Sequence, residues 1–128
     1  MAGLEPDQPQ CVAVYRGSKL TIELLLKADG SSPVREFLDS LSESDRKKVD
    51  TLFELMGEKG RITNDQKFKK LEGSNKIFEF KSFQVRLLCF FAGSGRLVIC
   101  RGLIKKKDRH DKHDIQFAES CRAKFTGA

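Results

Sequence analysis

The chain has 128 residues, 39% of them hydrophobic and 33% charged, with ten Phe and a formal net charge of +6. That length is one domain's worth, which argues against separate cofactor and substrate lobes, and the apolar fraction is enough to fill a single core, which argues against disorder. No apolar run approaches the roughly 20 residues that cross a bilayer, and the acidic start Met1-Ala2-Gly3-Leu4-Glu5-Pro6-Asp7 lacks the layout of an export signal, so a soluble, cytoplasmic protein with no membrane partner is expected.

The charge is unevenly spread: residues 1–60 sum to −3 and residues 61–128 to +9. A second half of this kind builds a surface for a polyanion, nucleic acid being the commonest, although a solvated basic face fits the same count. Cys11, Cys89, Cys100 and Cys121 contain no C-x-x-C pair, so no zinc ribbon or redox dithiol has spacing support, and free buried thiols are expected.

In chain order, residues 1–10 read as a flexible tail and residues 11–128 as a single domain. Cys11–Tyr15 and Leu20–Leu26 alternate as extended segments around the turn Arg16-Gly17-Ser18-Lys19. Ser32 followed by Pro33 is a helix start, and Val34, Phe37, Leu38 and Leu41 recur at helical spacing. A second start at Ser42-Glu43-Ser44-Asp45 opens a helix with Val49, Leu52, Phe53 and Met56 on one stripe, ending at Gly57 or Gly60. From Lys76 the period becomes two, and the segments at 77–81, 84–91 and 96–101 predict an antiparallel meander with short turns. Ile115, Ala118, Cys121 and Phe125 predict a closing helix.

With Ser82-Phe83 as the first turn, Lys81 pairs with Gln84 and Glu79 with Arg86; with Gly93-Ser94 as the second, Arg86 faces Arg101. Those residues then share a polar, cationic face, while Phe78, Phe80, Val85, Leu87, Cys89 and Phe91 form the apolar face that the two helices cover. A one-residue slip would move the polar group to the other side, and an ordinary half-exposed sheet with a Glu79–Arg86 ion pair has the same pattern. The basic runs Lys67-Phe68-Lys69-Lys70 and Lys105-Lys106-Lys107-Asp108-Arg109 sit at strand ends and can border that face. Phe83 and Phe90 are the nearest aromatics for stacking on RNA bases. His110 and His113, with Asp111 and Asp114, lack a matched third ligand, so no metal site is predicted.

The strings Lys69-Lys70-Leu71-Glu72-Gly73, Ile77-Phe78-Glu79-Phe80-Lys81, Val85-Arg86-Leu87-Leu88-Cys89-Phe90-Phe91 and Gly102-Leu103-Ile104-Lys105-Lys106-Lys107 resemble the RelE/HigB toxins of type II toxin–antitoxin modules, in particular the phage-derived HigB-like branch of the RelE/ParE superfamily. The likeness spans roughly residues 20–126. It implies an α+β, RelE-like fold: a twisted antiparallel sheet backed by two N-terminal helices, with a C-terminal helix. It also implies a metal-independent endoribonuclease without cofactors, an mRNA interferase that cuts mRNA on the ribosome until an antitoxin covers its basic face. Position by position, Lys81 stands for the basic residue ending the first strand motif, Arg86 for the arginine of the second strand, Lys105 and Lys106 for the paired lysines after the last strand, and Lys69 and Lys70 for the earlier basic pair. Lys81 in place of Arg, Leu103 in place of Phe, and Lys107-Asp108-Arg109-His110 in place of a Thr-rich stretch are departures.

The catalytic group read this way is Lys81, Arg86, Lys106 and Glu79. Arg86 grips the phosphate, Lys81 moves a proton, and Glu79, the one carboxylate on the face, is either a base or held inert by Arg86. Lys69, Lys70, Arg101, Lys105, Lys107 and Arg109 are expected to contact RNA and the ribosome. The alternative is a non-catalytic toxin of the same fold that binds a protein such as gyrase, or a nucleic-acid-binding module.

Overall fold

The computed structural model describes residues 10–74, 76–105 and 112–126. The expected tail lies outside these residues except for Gln10, which opens the first strand, and so do Lys106, Lys107, Arg109 and His110. Along the chain run β1 (Gln10–Arg16), β2 (Thr21–Leu26), α1 (Pro33–Asp39), α2 (Glu43–Lys59), β3 (Phe68–Lys70), β4 (Phe78–Ser82), β5 (Val85–Gly93), β6 (Arg96–Ile104) and α3 (Lys112–Thr126). The strands form one six-stranded sheet in the order β1-β2-β6-β5-β4-β3. The α+β class and the two-helix backing are as expected. All pairings are antiparallel except β2 with β6, which is parallel.

Both helix starts follow from their caps. Ser32 accepts from the Arg35 amide with Pro33 in the first turn, and Ser42 accepts from the Asp45 amide, each satisfying a donor the helix itself leaves open. Gly60, in the left-handed region at φ 79°, ends α2, the conformation that glycine adopts without steric penalty.

Helix α2 is held to the β1–β2 turn at close quarters. The Gly57 carbonyl accepts from the Lys19 and Leu20 amides at 2.9 and 3.0 Å, and a Cβ on Gly17 would fall 2.2 Å from the Gly57 carbonyl carbon. Only a residue without a side chain permits this approach. Gly17→Ala should therefore cost roughly 1–3 kcal/mol, visible as a lowered urea midpoint at unchanged slope; an unshifted midpoint would mean that the turn moves aside freely.

One sheet face carries Ile22, Leu24, Phe68, Phe80, Val85, Leu87, Cys89, Leu97 and Ile99 against Val34 and Leu38 of α1 and Val49, Leu52, Phe53 and Met56 of α2. This is the predicted apolar layer. The other face is not the open polar surface expected: Ile77, Leu88, Phe90, Val98 and Cys100 are buried there with Ala118 and Cys121 of α3. The closing helix has an apolar stripe of its own and needs a sheet face to cover. All four cysteines are free thiols, three of them buried, and burial pushes the Cys89 thiol well above its usual range. No helix among the described residues is long and apolar enough to cross a membrane.

A bulge in β6 sets the far end of this second face. Leu88 pairs with Arg101 but Cys89 pairs with Ile99, so Cys100 is the extra residue. Such an insertion reverses the in–out alternation beyond it. Cys100 and Arg101 both face α3, and Gly102 turns to α1, where the Phe37 ring occupies the space a side chain would need.

Candidate nucleic-acid interface

The β4–β5 turn is Phe83-Gln84, one residue later than expected, so Ser82 pairs with Val85, Lys81 with Arg86 and Glu79 with Leu88. The predicted Lys81–Gln84 and Glu79–Arg86 pairings are thereby corrected. The slip moves each partner by two positions and so preserves the faces: Lys81 and Arg86 not only share a side but stand directly opposite each other. Beyond the hairpin, the Lys81 amide donates to the Lys67 carbonyl and the Lys105 amide to the Gln84 carbonyl, which extends both flanking ladders by one residue.

The cations gather where α3 stops covering the sheet. The Lys81 side chain is partly covered and its ammonium stays near the surface, with Nζ donating to the Asp65 carbonyl at 3.5 Å. Its pKa lies below the ordinary 10.5, first through desolvation and then through the positive charge of Lys69, with Arg86 and Lys105 adding and Glu79 opposing. Two like charges crowded together disfavour the protonated form. Arg86 Nη1 donates to the Phe83 carbonyl and, at 2.9 Å, to the Val85 carbonyl. The guanidinium is thus fastened to the turn before any ligand arrives, while its shielded Nε has no acceptor among the described residues.

The remaining expected residues divide. Lys69 pairs with Glu79 and joins the Lys81 side; Lys70 pairs with Phe78 and points to the opposite face, because adjacent residues in a strand alternate. Arg86 faces Leu103 rather than Arg101. Arg101 lies one pair further along the same face, where it is bound to Asp114 at 2.8 Å and lies over the Phe117 ring at 4.8 Å. It therefore pins the first turns of α3 to the sheet. Glu79 is wholly inaccessible, in the row shared with Leu88, so it is a buried neighbour of Lys81 and not a surface base. Phe90 is equally buried, in contrast to its expected place as a stacking surface, whereas Phe83 is 75% exposed. His113 lies in the first turn of α3, and no group of His, Cys, Asp or Glu that could hold a metal occurs among the described residues.

One cation escaped sequence reasoning. Lys48 of α2 places its ammonium 4.1 Å from the centre of the Phe83 ring, and no local pattern links a helix residue to a turn 35 positions away. Beside the cluster, past Leu103, a cleft of about 390 Å³ is lined by Leu25, Pro33, Val34, Leu103 and Phe117. The cluster itself lies open on the sheet end, a surface suited to phosphates of an extended strand.

Comparison with curated proteins finds no match. Among solved structures, the chain is similar to one in the RelB-RelE antitoxin-toxin complex from Methanococcus jannaschii, at 12% identity and a TM-score of 0.47, over 64% of this chain and 87% of that one. A family model matches residues 36–122, about two thirds of the chain, from Glu36, the fourth residue of α1, through most of α3. The protein belongs to the phage-derived Gp49-like family (DUF891).

Proposed function

We propose that this protein is a toxin of a type II toxin–antitoxin module, of the HigB-like branch, acting as a ribosome-dependent endoribonuclease on mRNA. The observation that carries the proposal is the cross-strand pair Lys81–Arg86 with Lys69 and Lys105 beside it. The reaction is attack of a ribose 2′-hydroxyl on the adjacent phosphorus, which leaves a 2′,3′-cyclic phosphate and a 5′-hydroxyl. Negative charge grows on the phosphoryl oxygens and on the departing 5′-oxygen. Arg86, preset by its two turn carbonyls, offers a fixed guanidinium to the first; Lys81, eased toward losing its proton, can take the 2′-hydroxyl proton or supply the leaving oxygen. Lys105, and through the resemblance Lys106, Lys107 and Arg109, serve the phosphates of RNA, and the cognate antitoxin covers the same cations. The open, shallow site depends on the ribosome to present the message.

Mapping transcript 5′ ends after brief induction tests this reading. Positioned cuts within translated messages are expected; growth arrest without cuts would favour a non-catalytic toxin acting on a protein target.

The neighbours of Lys81 give a prediction of opposite signs. Lys69→Gln removes a positive charge and should move the limb of the pH–rate profile governed by Lys81 to higher pH. Glu79→Gln removes a negative charge that raises the Lys81 pKa and should move the same limb to lower pH while cleavage persists. Because Glu79 is sealed from solvent, loss of all cleavage in a folded Glu79→Gln variant would restore it as the base.

A further inference from the structure

We propose that Phe83 is the platform on which a nucleobase of single-stranded RNA stacks next to the phosphate held by Lys81 and Arg86. This rests on the proposed RNA site and names how that site engages the base.

Phe83 stands in the turn that joins the Lys81 strand to the Arg86 strand, and its carbonyl is one of the two that Arg86 Nη1 grips. An apolar ring with three quarters of its surface in water adds little burial to the fold. Its backbone is also strained, at φ 53°, a region that a bulky side chain rarely enters. The other tight turn also holds a non-glycine residue at φ 53°, but there it is the small Ser94, followed by Gly95 at φ 73°. A strained, exposed aromatic persists where it serves a ligand.

The ring's surroundings specify that ligand. Lys48 lies over it at 4.1 Å, holding the ring and adding a cation beside the strand path, while the remainder stays exposed. Cations following a phosphate backbone, interrupted by an aromatic face, are the elements of single-strand binding, in which stacking tolerates any base. Phe83 is the only exposed large aromatic carried by the Lys81–Arg86 turn, since Phe90 is buried and Phe91 packs on Phe68 and Phe78.

The chain has no Trp and one Tyr, so Phe83→Trp places a single, selectively excitable tryptophan on the platform. Titration with a short 2′-O-methyl RNA, which cannot be cleaved, should quench that Trp, and an abasic strand of equal phosphate number should not. Phe83→Gly, which removes ring and strain together, should leave Tm unchanged or higher and weaken binding of the ordinary strand about 5- to 150-fold, the range for loss of one stacked base, with little effect on the abasic strand. Equal quenching by both strands, or unchanged affinity in Phe83→Gly, overturns the platform. Arg86→Ala, measured in the same series, separates the two failures. If it alone weakens binding, the phosphate site stands and the platform falls; if neither variant weakens binding, both fall.

Discussion

Replacing Arg86 with alanine should lower mRNA cleavage on programmed ribosomes by about 10²–10³-fold, the usual cost of removing one preset donor from a developing anionic centre. The side chain is half-buried at the sheet end and is not one of the hydrophobic residues that build either core, so the variant should remain folded. It frees the Phe83 and Val85 carbonyls, which water can serve at the exposed turn. Arg86→Lys keeps the charge but loses the planar fork, and should recover only part of the activity. Cleavage and growth arrest undiminished in Arg86→Ala, at equal protein level, would remove Arg86 from the reaction.

The largest effect on stability is expected at Phe80→Ala. This ring is 1% exposed, with the rings of Phe53 at 5.5 Å and Phe68 at 4.9 Å, so it binds β4 to α2 and to the edge strand β3 at once. Truncation should cost about 3–5 kcal/mol through lost burial and the cavity left behind, a large share of the ~5–15 kcal/mol that typically holds a domain. Phe80 neighbours Lys81 in sequence but points away from it, so activity should fall only in proportion to the unfolded fraction. Urea titration measures the first, and cleavage normalised to folded protein the second. A cost under about 1 kcal/mol would show that Phe53 and Phe68 close over the gap.

The helices and the hairpin strands were legible because each is written locally, in the Ser32-Pro33 and Ser42 starts and in the alternation of 77–81 and 85–91. The pairing of Lys81 with Arg86 was legible only as a shared face: nothing in Ser82-Phe83-Gln84 announces a turn with phenylalanine at positive φ. Strand β3 is short and reads as a charge run, and the parallel β2–β6 pair joins segments more than 70 positions apart. Burial of Glu79 was hidden for a different reason. Glu79 sits between Lys69 and Leu88 on neighbouring strands, and the alternation within β4 does not tell whether such an inner-strand position on the polar side is exposed or covered. The amphipathic pattern of α3 leaves open where that helix lands, so Arg101 looked like a free surface cation, when it holds Asp114.

The extra residue in β6 has an evolutionary reading. Cys100 and Arg101 share one side of the strand, so Arg101, Leu103 and, by continued alternation, Lys105 keep the faces they would have in a strand one residue shorter. Deleting Cys100 should therefore leave their pairing and orientation intact, whereas straightening the strand with Cys100 retained would turn them all to the other side. The bulge lets this strand carry an added residue without a change of phase.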